Sequence, residues 1–225
     1  MRKYLIIICL FLFGACRDDE ENVYRPCDQE IFNRCPGSGD DSFCTLGYKW
    51  GGSNPYENAG RSISGPAIAG GTVTYAFQDE GYKFSTHSQS GLVSQSINSL
   101  SSCGKEKIRE AFAKWEAVAN ISFEEIEDPE ISDIKIIVAD IEQGGLGYPA
   151  YVGSPCEDIA GQMIFNIPIR GTCDRFLNLA LHEIGHVLGL GHVGSQNIMN
   201  PDWNDNITDL QTGDIAGVQS IYGTK

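Results

Sequence analysis

The amino-acid sequence predicts an α+β fold, a mixed twisted sheet with three helices packed on it. Three observations carry this expectation. Short stretches with strand-like apolar alternation interleave with stretches whose apolar residues recur every three or four positions. Elements interleaved in that order pack as a sheet covered by helices, and not as a bundle or a sandwich. The 225 residues contain no internal repeat and suffice for one sizeable core with an appendage.

The first stretch is a leader. Residues 1–15 start basic, with Arg2 and Lys3, run apolar from Leu5 to Phe13, and end in small residues before Cys16. The apolar run is too short for a permanent membrane helix and reads as a secretory signal. FGAC resembles a bacterial lipobox, in which the cysteine is lipidated and becomes the new N-terminus, although Phe13 departs from that pattern. The acidic run RDDEEN behind it resembles a surface-export tag of bacterial lipoproteins. Plain secretion, with Cys16 an ordinary thiol, is the alternative.

Residues 16–66 are rich in Gly, Pro, Asn, Asp and Ser and show neither a helical nor a strand period. A segment of this kind depends on cross-links more than on burial, and it is a candidate propeptide. Six cysteines remain once Cys9 and Cys16 are set aside: Cys27, Cys35, Cys44, Cys103, Cys156 and Cys173. An even number in an exported chain suggests three disulfides. Three of these cysteines precede residue 50 and three follow residue 100, so complete pairing requires a bridge from the N-terminal segment to the rest. The tract GPAIAGG marks a boundary, with a second domain expected over 67–225.

Within 67–225, TVTYAFQ (Thr72 to Gln78) is β-rich and predicts a strand. Between Gly104 and Ala119 the residues Ile108, Ala111, Phe112, Trp115 and Val118 fall on one face of an amphipathic helix. ISFEEIE (Ile121 to Glu127), ISDIKIIVADI (Ile131 to Ile141) and GQMIFNI (Gly161 to Ile167) read as strands. A helix beginning near Phe176 would bury Leu177, Ala180, Leu181, Ile184 and Leu188. A last helix is expected after Thr208, with Gln211 completing a capping box and Ile215, Val218 and Ile221 facing inward.

The chemistry concentrates in HEIGHVLGLGH, residues 182–192, which holds three of the chain's four histidines. On a helix His182 and His186 lie one turn apart on the same face and can grip one cation. Glu183 projects beside that cation, where a water would sit. Gly189 can adopt a conformation closed to other residues, so the helix can stop and the chain turn back. His192 then arrives as a third ligand. Three nitrogen ligands with one open position describe a catalytic zinc site; a structural site would be closed by four protein ligands. Met199 follows, and HExxHxxGxxH with a following methionine turn is the metzincin signature.

Past residue 70 the chain resembles the matrixin branch of the metzincins. The resemblance rests on TVTYAF, AFAKWEAVANISFEE, DIKIIVAD, LGYPAY, GQMIFN, LALHEIGHVLGLGH, NIMNPDW and LQTGDIAGVQSIYG, in that order. It implies a zincin-type α/β-like domain with one catalytic zinc held by His182, His186 and His192, and with Glu183 as general base. Met199 would be a hydrophobic floor under the metal and not a ligand. Leu146 and Tyr148, in LGYPAY, would belong to the edge strand that pairs with an extended substrate. Pro201 and Trp203 would line the main specificity pocket, which then accepts a hydrophobic side chain just after the cleaved bond. Asp214 would help fix the methionine turn.

The chain departs from the animal matrixins in three respects. A second, structural zinc needs several histidines, and only His87 is left over, so that site is not expected. The segment before the domain is short. Arg34-Cys35-Pro36-Gly37 faintly resembles the sequence whose cysteine blocks the zinc, yet placing Cys35 there would leave one cysteine unpaired. A disulfide is therefore expected for Cys35, and Asp28, Asp40 or Asp41 could block the metal instead.

The implied function is a zinc-dependent endopeptidase that hydrolyses extracellular proteins or peptides with a metal-activated water and Glu183 as base. The alternative is a latent or non-catalytic surface-binding lipoprotein that keeps its zinc site. Loss of the leader, with Arg2 and Lys3, leaves 14 basic residues against 30 acidic, or −16. That balance excludes nucleic acid and anionic membrane surfaces as partners and leaves room for calcium. The chain is expected to act as an exported monomer, at the bacterial cell surface or outer membrane through a lipid on Cys16, or otherwise secreted.

Overall fold

Five strands form one sheet in the order β3-β2-β4-β6-β5: β2 (Thr72–Phe77), β3 (Ser122–Glu125), β4 (Ile134–Ala139), β5 (Gly145–Gly147) and β6 (Gln162–Asn166). β2, β3, β4 and β6 run parallel to their neighbours, and β5 runs antiparallel on the β6 edge. The helices are α1 (Gly104–Val118), α2 (Cys173–Val187) and α3 (Thr212–Tyr222). A two-stranded ribbon pairs β1 (Cys44–Thr45) with β7 (Leu190–Gly191). The structure, a computed structural model, describes residues 35–36, 39–50, 71–83, 91–100, 102–141, 144–148, 159–167, 172–194, 196–202, 204 and 207–225. The leader, Cys16, Cys27, Asp28, His87, Cys156 and Trp203 lie outside the described residues. The architecture is α+β, as the interleaved periodicities predict.

β4 and β6 carry near-continuous apolar runs, IKIIVA and QMIFN, as expected of parallel strands covered on both faces. β3 lies at the opposite edge and reads SFEE, half-buried and then exposed. α1 buries Ile108, Ala111, Phe112 and Trp115, while Val118 packs on the rim. Phe112 stacks on Tyr75 of β2, ring centroids 4.2 Å apart, and Phe123 of β3 joins it at 4.8 Å. The Trp115 indole is wholly buried and donates to the carbonyl of Leu181 in α2 at 3.1 Å, so α1 and α2 are tied through their cores. A disulfide between Cys103, the N-cap of α1, and Cys173, the first residue of α2, ties their starts.

Two boundaries differ from the sequence expectation, both because of capping. α2 starts at Cys173, three residues before Phe176, since the Thr172 hydroxyl accepts from Arg175 N–H and allows one more turn. The capping box of α3 is made by Gln211 and Asp214 and not by Thr208 and Gln211. On α3, Val218 and Ile221 are buried and Ile215 is half-buried.

Residues 42–50 lie against the C-terminal end of α2. A helix leaves its last carbonyls without internal partners, and here remote residues supply them. Trp50 Nε1 donates to Val187 O at 3.0 Å, the Tyr222 hydroxyl to Leu188 O at 3.0 Å, and Leu46 N–H to Gly189 O at 2.7 Å. Trp50 N–H in turn donates to the Tyr222 hydroxyl. Gly189 has φ +99°, and a Cβ there would meet the carbonyl oxygen of Tyr48. Tyr48 and Trp50 are among the most buried side chains of the molecule. Cys35 is bonded to Cys44 at the start of this strap.

Candidate metal centre

His182 and His186 project from one face of α2, and His192 comes back to them directly after β7. The three Nε2 atoms lie 3.1 Å (His182–His186), 3.2 Å (His182–His192) and 3.0 Å (His186–His192) apart. Among the described residues they are the one group of three metal-ligating side chains close enough to share an ion.

The outer nitrogens explain why the inner ones are available. His182 Nδ1 donates to Ile198 O at 2.7 Å and His186 Nδ1 donates to Leu190 O at 2.8 Å. A carbonyl can only accept, so each Nδ1 carries its ring proton and each Nε2 turns a lone pair inward. Lone pairs held this close repel one another unless a cation lies among them. Nitrogen ligands around a tetrahedral zinc at ~2.0 Å stand about 3.3 Å apart, so spacing and donor type both fit that ion. Burial pushes the His182 pKa down to about 4 and that of His186 well below its ordinary value. Both rings are therefore neutral at physiological pH, as ligation requires.

Glu183 is buried, and burial pushes its carboxyl up to about 8. Its Oε1 lies 2.8 Å from where a Cβ on Gly145 would be, and its backbone carbonyl fills the space a Cβ on Gly147 would need. β5 can thus lie flush on α2 because positions 145 and 147 are glycine. Asn166 N–H bonds Gly144 O and Tyr148 N–H bonds Gln162 O. By the alternation of an antiparallel ladder, the N–H and C=O of Gly145 and Gly147 then face away from β6, on an edge beside Glu183 that no described strand covers.

Below the histidines the chain turns through Ile198 and Met199, both buried. The Asp214 carboxylate accepts from Ile198 N–H at 2.9 Å, Met199 N–H at 3.2 Å and Gln211 N–H at 2.8 Å. Burial pushes its pKa up and those three donors pull it back. Asn197 Nδ2 donates to Ser42 O, so the strap also meets this turn.

A cleft of about 260 Å³ opens at the site, walled by Gly145, His182, Glu183 and His192 and by Asn178, Ile198, Pro201 and Ile207. Of the residues singled out in the sequence, His182, His186, His192, Glu183, Met199 and Pro201 come together here. Leu146 is half-buried on β5, and Tyr148 is buried just beyond it. Neither Cys35 nor Asp41 joins the histidine cluster. Sequence reading passed over Asn178, Gly145, Gly147, Gly185 and the strap. Asn178 did carry a signal, because it sits one turn before His182 on the metal-facing side.

The family model for matrixins matches residues 167–223, the stretch that runs from the end of β6 through α3. Over 170 residues the chain is 30% identical to Metalloendoproteinase 1-MMP of Arabidopsis thaliana, covering 68% of this chain and 43% of that protein. It is 26% identical over 220 residues to karilysin of Tannerella forsythia, covering 89% of this chain and 39% of karilysin. With matrix metalloproteinase-16 of Homo sapiens it shares 33% identity over 144 residues, covering 53% of this chain and 24% of that protein. The chain spans less than half the length of these relatives. Three inward imidazoles on a helix and its returning turn, a buried glutamate beside them, a methionine beneath and these matches together place the chain among the matrixin-like metzincins.

Proposed function

We propose that this protein is a zinc-dependent endopeptidase that cleaves extended protein segments outside the cell. The observation that carries the reading is the cluster of three inward Nε2 atoms with Glu183 buried beside it and the backbone edge of β5 alongside. Zinc bound there supplies a Lewis acid that polarises a carbonyl and lowers the pKa of water. The chain's own residues do the rest. Gly145 and Gly147 offer N–H and C=O groups to which an extended peptide adds as a further strand, holding its scissile bond across the cleft. Glu183 takes the proton of the attacking water and returns it to the leaving amine. Burial suits it to that exchange, since it favours a carboxyl that readily holds a proton, while a nearby cation restores its acidity. Ile198 O and Leu190 O hold the imidazoles in the tautomer that leaves Nε2 free.

The acidic surface and the leader accord with export, through a lipid on Cys16 or by plain secretion. Residues 42–50, which complete the end of α2, belong to the peptidase unit in this reading, so a removable segment would end before them.

Incubation of the purified protein with casein, with and without a chelator, tests the activity. Glu183→Ala is expected to keep one zinc per chain and the wild-type melting temperature while cleavage falls at least 1,000-fold. A variant that still cleaves would sink the mechanism. A wild-type protein that binds zinc and cleaves nothing would favour the surface-binding alternative.

A further inference from the structure

The starts of α1 and α2 are tied by Cys103–Cys173, a bond that neither the metal site nor the cleft uses. Its two ends differ. Cys173 is the first residue of α2 and is exposed at the surface. Cys103 is half-buried at the N-cap of α1, and its side chain makes no capping bond. A helix leaves its first N–H groups without internal acceptors, and a side chain at the N-cap is placed to accept from the second or third of them. Bonded to Cys173, the Cys103 sulfur is a poor acceptor. As a thiolate it is a strong one, and the helix dipole favours its charge. In the four residues after each cysteine, Lys105, Lys107 and Arg175 outnumber Glu106 and Asp174. Cys35–Cys44 offers the opposite setting, because Cys44 is 4% exposed and belongs to the apolar core, where burial disfavours a thiolate.

We propose that Cys103–Cys173 is a thiol-exchange site at which a small-molecule thiol opens the tie between α1 and α2. The reagent's thiolate attacks Cys173 Sγ. A new S–S bond forms there, the Cys103–Cys173 bond breaks, and its electron pair leaves on Cys103 Sγ as a thiolate that caps α1. A second thiolate attacks the reagent sulfur of this mixed disulfide and releases Cys173. Two thiols are thus oxidised to one disulfide while the protein disulfide is reduced to two cysteines, the thiols' protons passing to solvent or to the freed sulfurs. A more stable leaving thiolate leaves faster, so the N-cap position of Cys103 and the exposure of Cys173 act in the same direction. The bond spans a sequence separation of 70 residues, and opening it returns that freedom to the unfolded chain, so the opened protein melts lower. Trp115 still holds α2 through Leu181 O, directly before His182, so the histidine cluster stays assembled. Opening therefore tunes the durability of the fold, whether or not the protein is a peptidase.

The test exposes the folded, zinc-loaded full chain to graded reduced glutathione, traps free thiols with iodoacetamide and reads them by peptide mass spectrometry. Cys103 and Cys173 are expected to be labelled faster than Cys35 and Cys44 by about tenfold or more. Opening of Cys35–Cys44 as fast as Cys103–Cys173, or no opening of Cys103–Cys173 short of unfolding, overturns the proposal. In Cys173→Ser, the pH dependence of alkylation is expected to place the Cys103 thiol at least about one unit below the ordinary value of about 8.5. A Cys103 thiol at or above that value also overturns it. The double variant Cys103→Ala, Cys173→Ala is expected to hold one zinc per chain and to melt lower by about 5 °C or more. If it does not fold, melting of the wild-type chain before and after glutathione opening makes the same comparison. An opened form that melts with the closed one shows that the bond does not tune durability and sinks the proposal.

Discussion

The sulfur of Met199 occupies the space into which a Cβ on Gly185 would project, with Trp115 pressing on the same spot from α1. The packing of Met199 against the histidine-bearing helix is thus set by a missing side chain inside α2, one residue before His186. Glycine within a helix costs about 1 kcal/mol relative to alanine, so Gly185→Ala would stabilise α2 by itself. Overpacking costs about 1–3 kcal/mol and should win. We expect Gly185→Ala to lower stability by up to about 2 kcal/mol in urea melts. Gly185→Ala placed in a Met199→Ala background should instead stabilise by up to about 1 kcal/mol, because the sulfur is gone and the helix preference for alanine remains. Equal effects in the two backgrounds would disprove the contact.

The strap at residues 42–50 makes a second prediction. It caps the C-terminal carbonyls of α2 and pairs with β7, which separates His186 from His192. A chain starting at Gly39 is expected to fold and hold one zinc. A chain starting at residue 67 should lose at least tenfold in zinc affinity and most of its cooperative melt. The finer probe is Trp50→Phe, which keeps an aromatic ring but leaves Val187 O without its donor, a loss of about 1–3 kcal/mol. Zinc binding by the 67–225 fragment equal to that of the longer chain would show the strap to be dispensable.

A third prediction concerns acid. Arg109 donates to both carboxylate oxygens of Glu125, at 2.6 and 2.7 Å, and Tyr75 donates to the same carboxylate at 3.1 Å. The guanidinium hydrogen bonds hold Glu125 below its ordinary 4.5, and burial, with Glu125 adding to it, pushes Tyr75 up to about 12. A carboxyl whose pKa is lower in the folded than in the unfolded chain stabilises the fold above its unfolded value. That contribution disappears as the pH falls through the folded value. Both partners are substantially exposed, 49% and 32%, so the pair contributes about 0.5 kcal/mol. The melting-temperature gap between wild type and Glu125→Gln should be small at pH 7 and shrink steadily as the pH falls below 4.5. A gap that does not shrink on acidification would locate the effect in packing.

Much of this molecule was legible in its sequence. Apolar periodicity marked α1 and the strands β2, β3, β4 and β6 to within a few residues, because each buries one stripe or face against the core. The spacing of His182, Glu183, His186 and His192 is a local property: helix pitch and one turn at Gly189 bring them near one another. The starts of α2 and α3 were less legible, since Thr172 and Asp214 compete with other plausible caps nearby. The strap escaped notice because TLGYKW has no period of its own and draws its order from carbonyls 137 residues or more away.

The sequence by itself determined the three clustered histidines, the glutamate beside them and the alternating strand and helix order, all of which follow from short-range backbone geometry. Only the tertiary structure decided what surrounds them: the strap on the end of α2, Met199 in the hollow at Gly185, β5 flush on Glu183, and the bond from Asn178 to Ile207 O. Each is a contact between residues far apart in the chain. Such contacts depend on which surfaces close packing leaves facing one another, and a linear pattern does not record that.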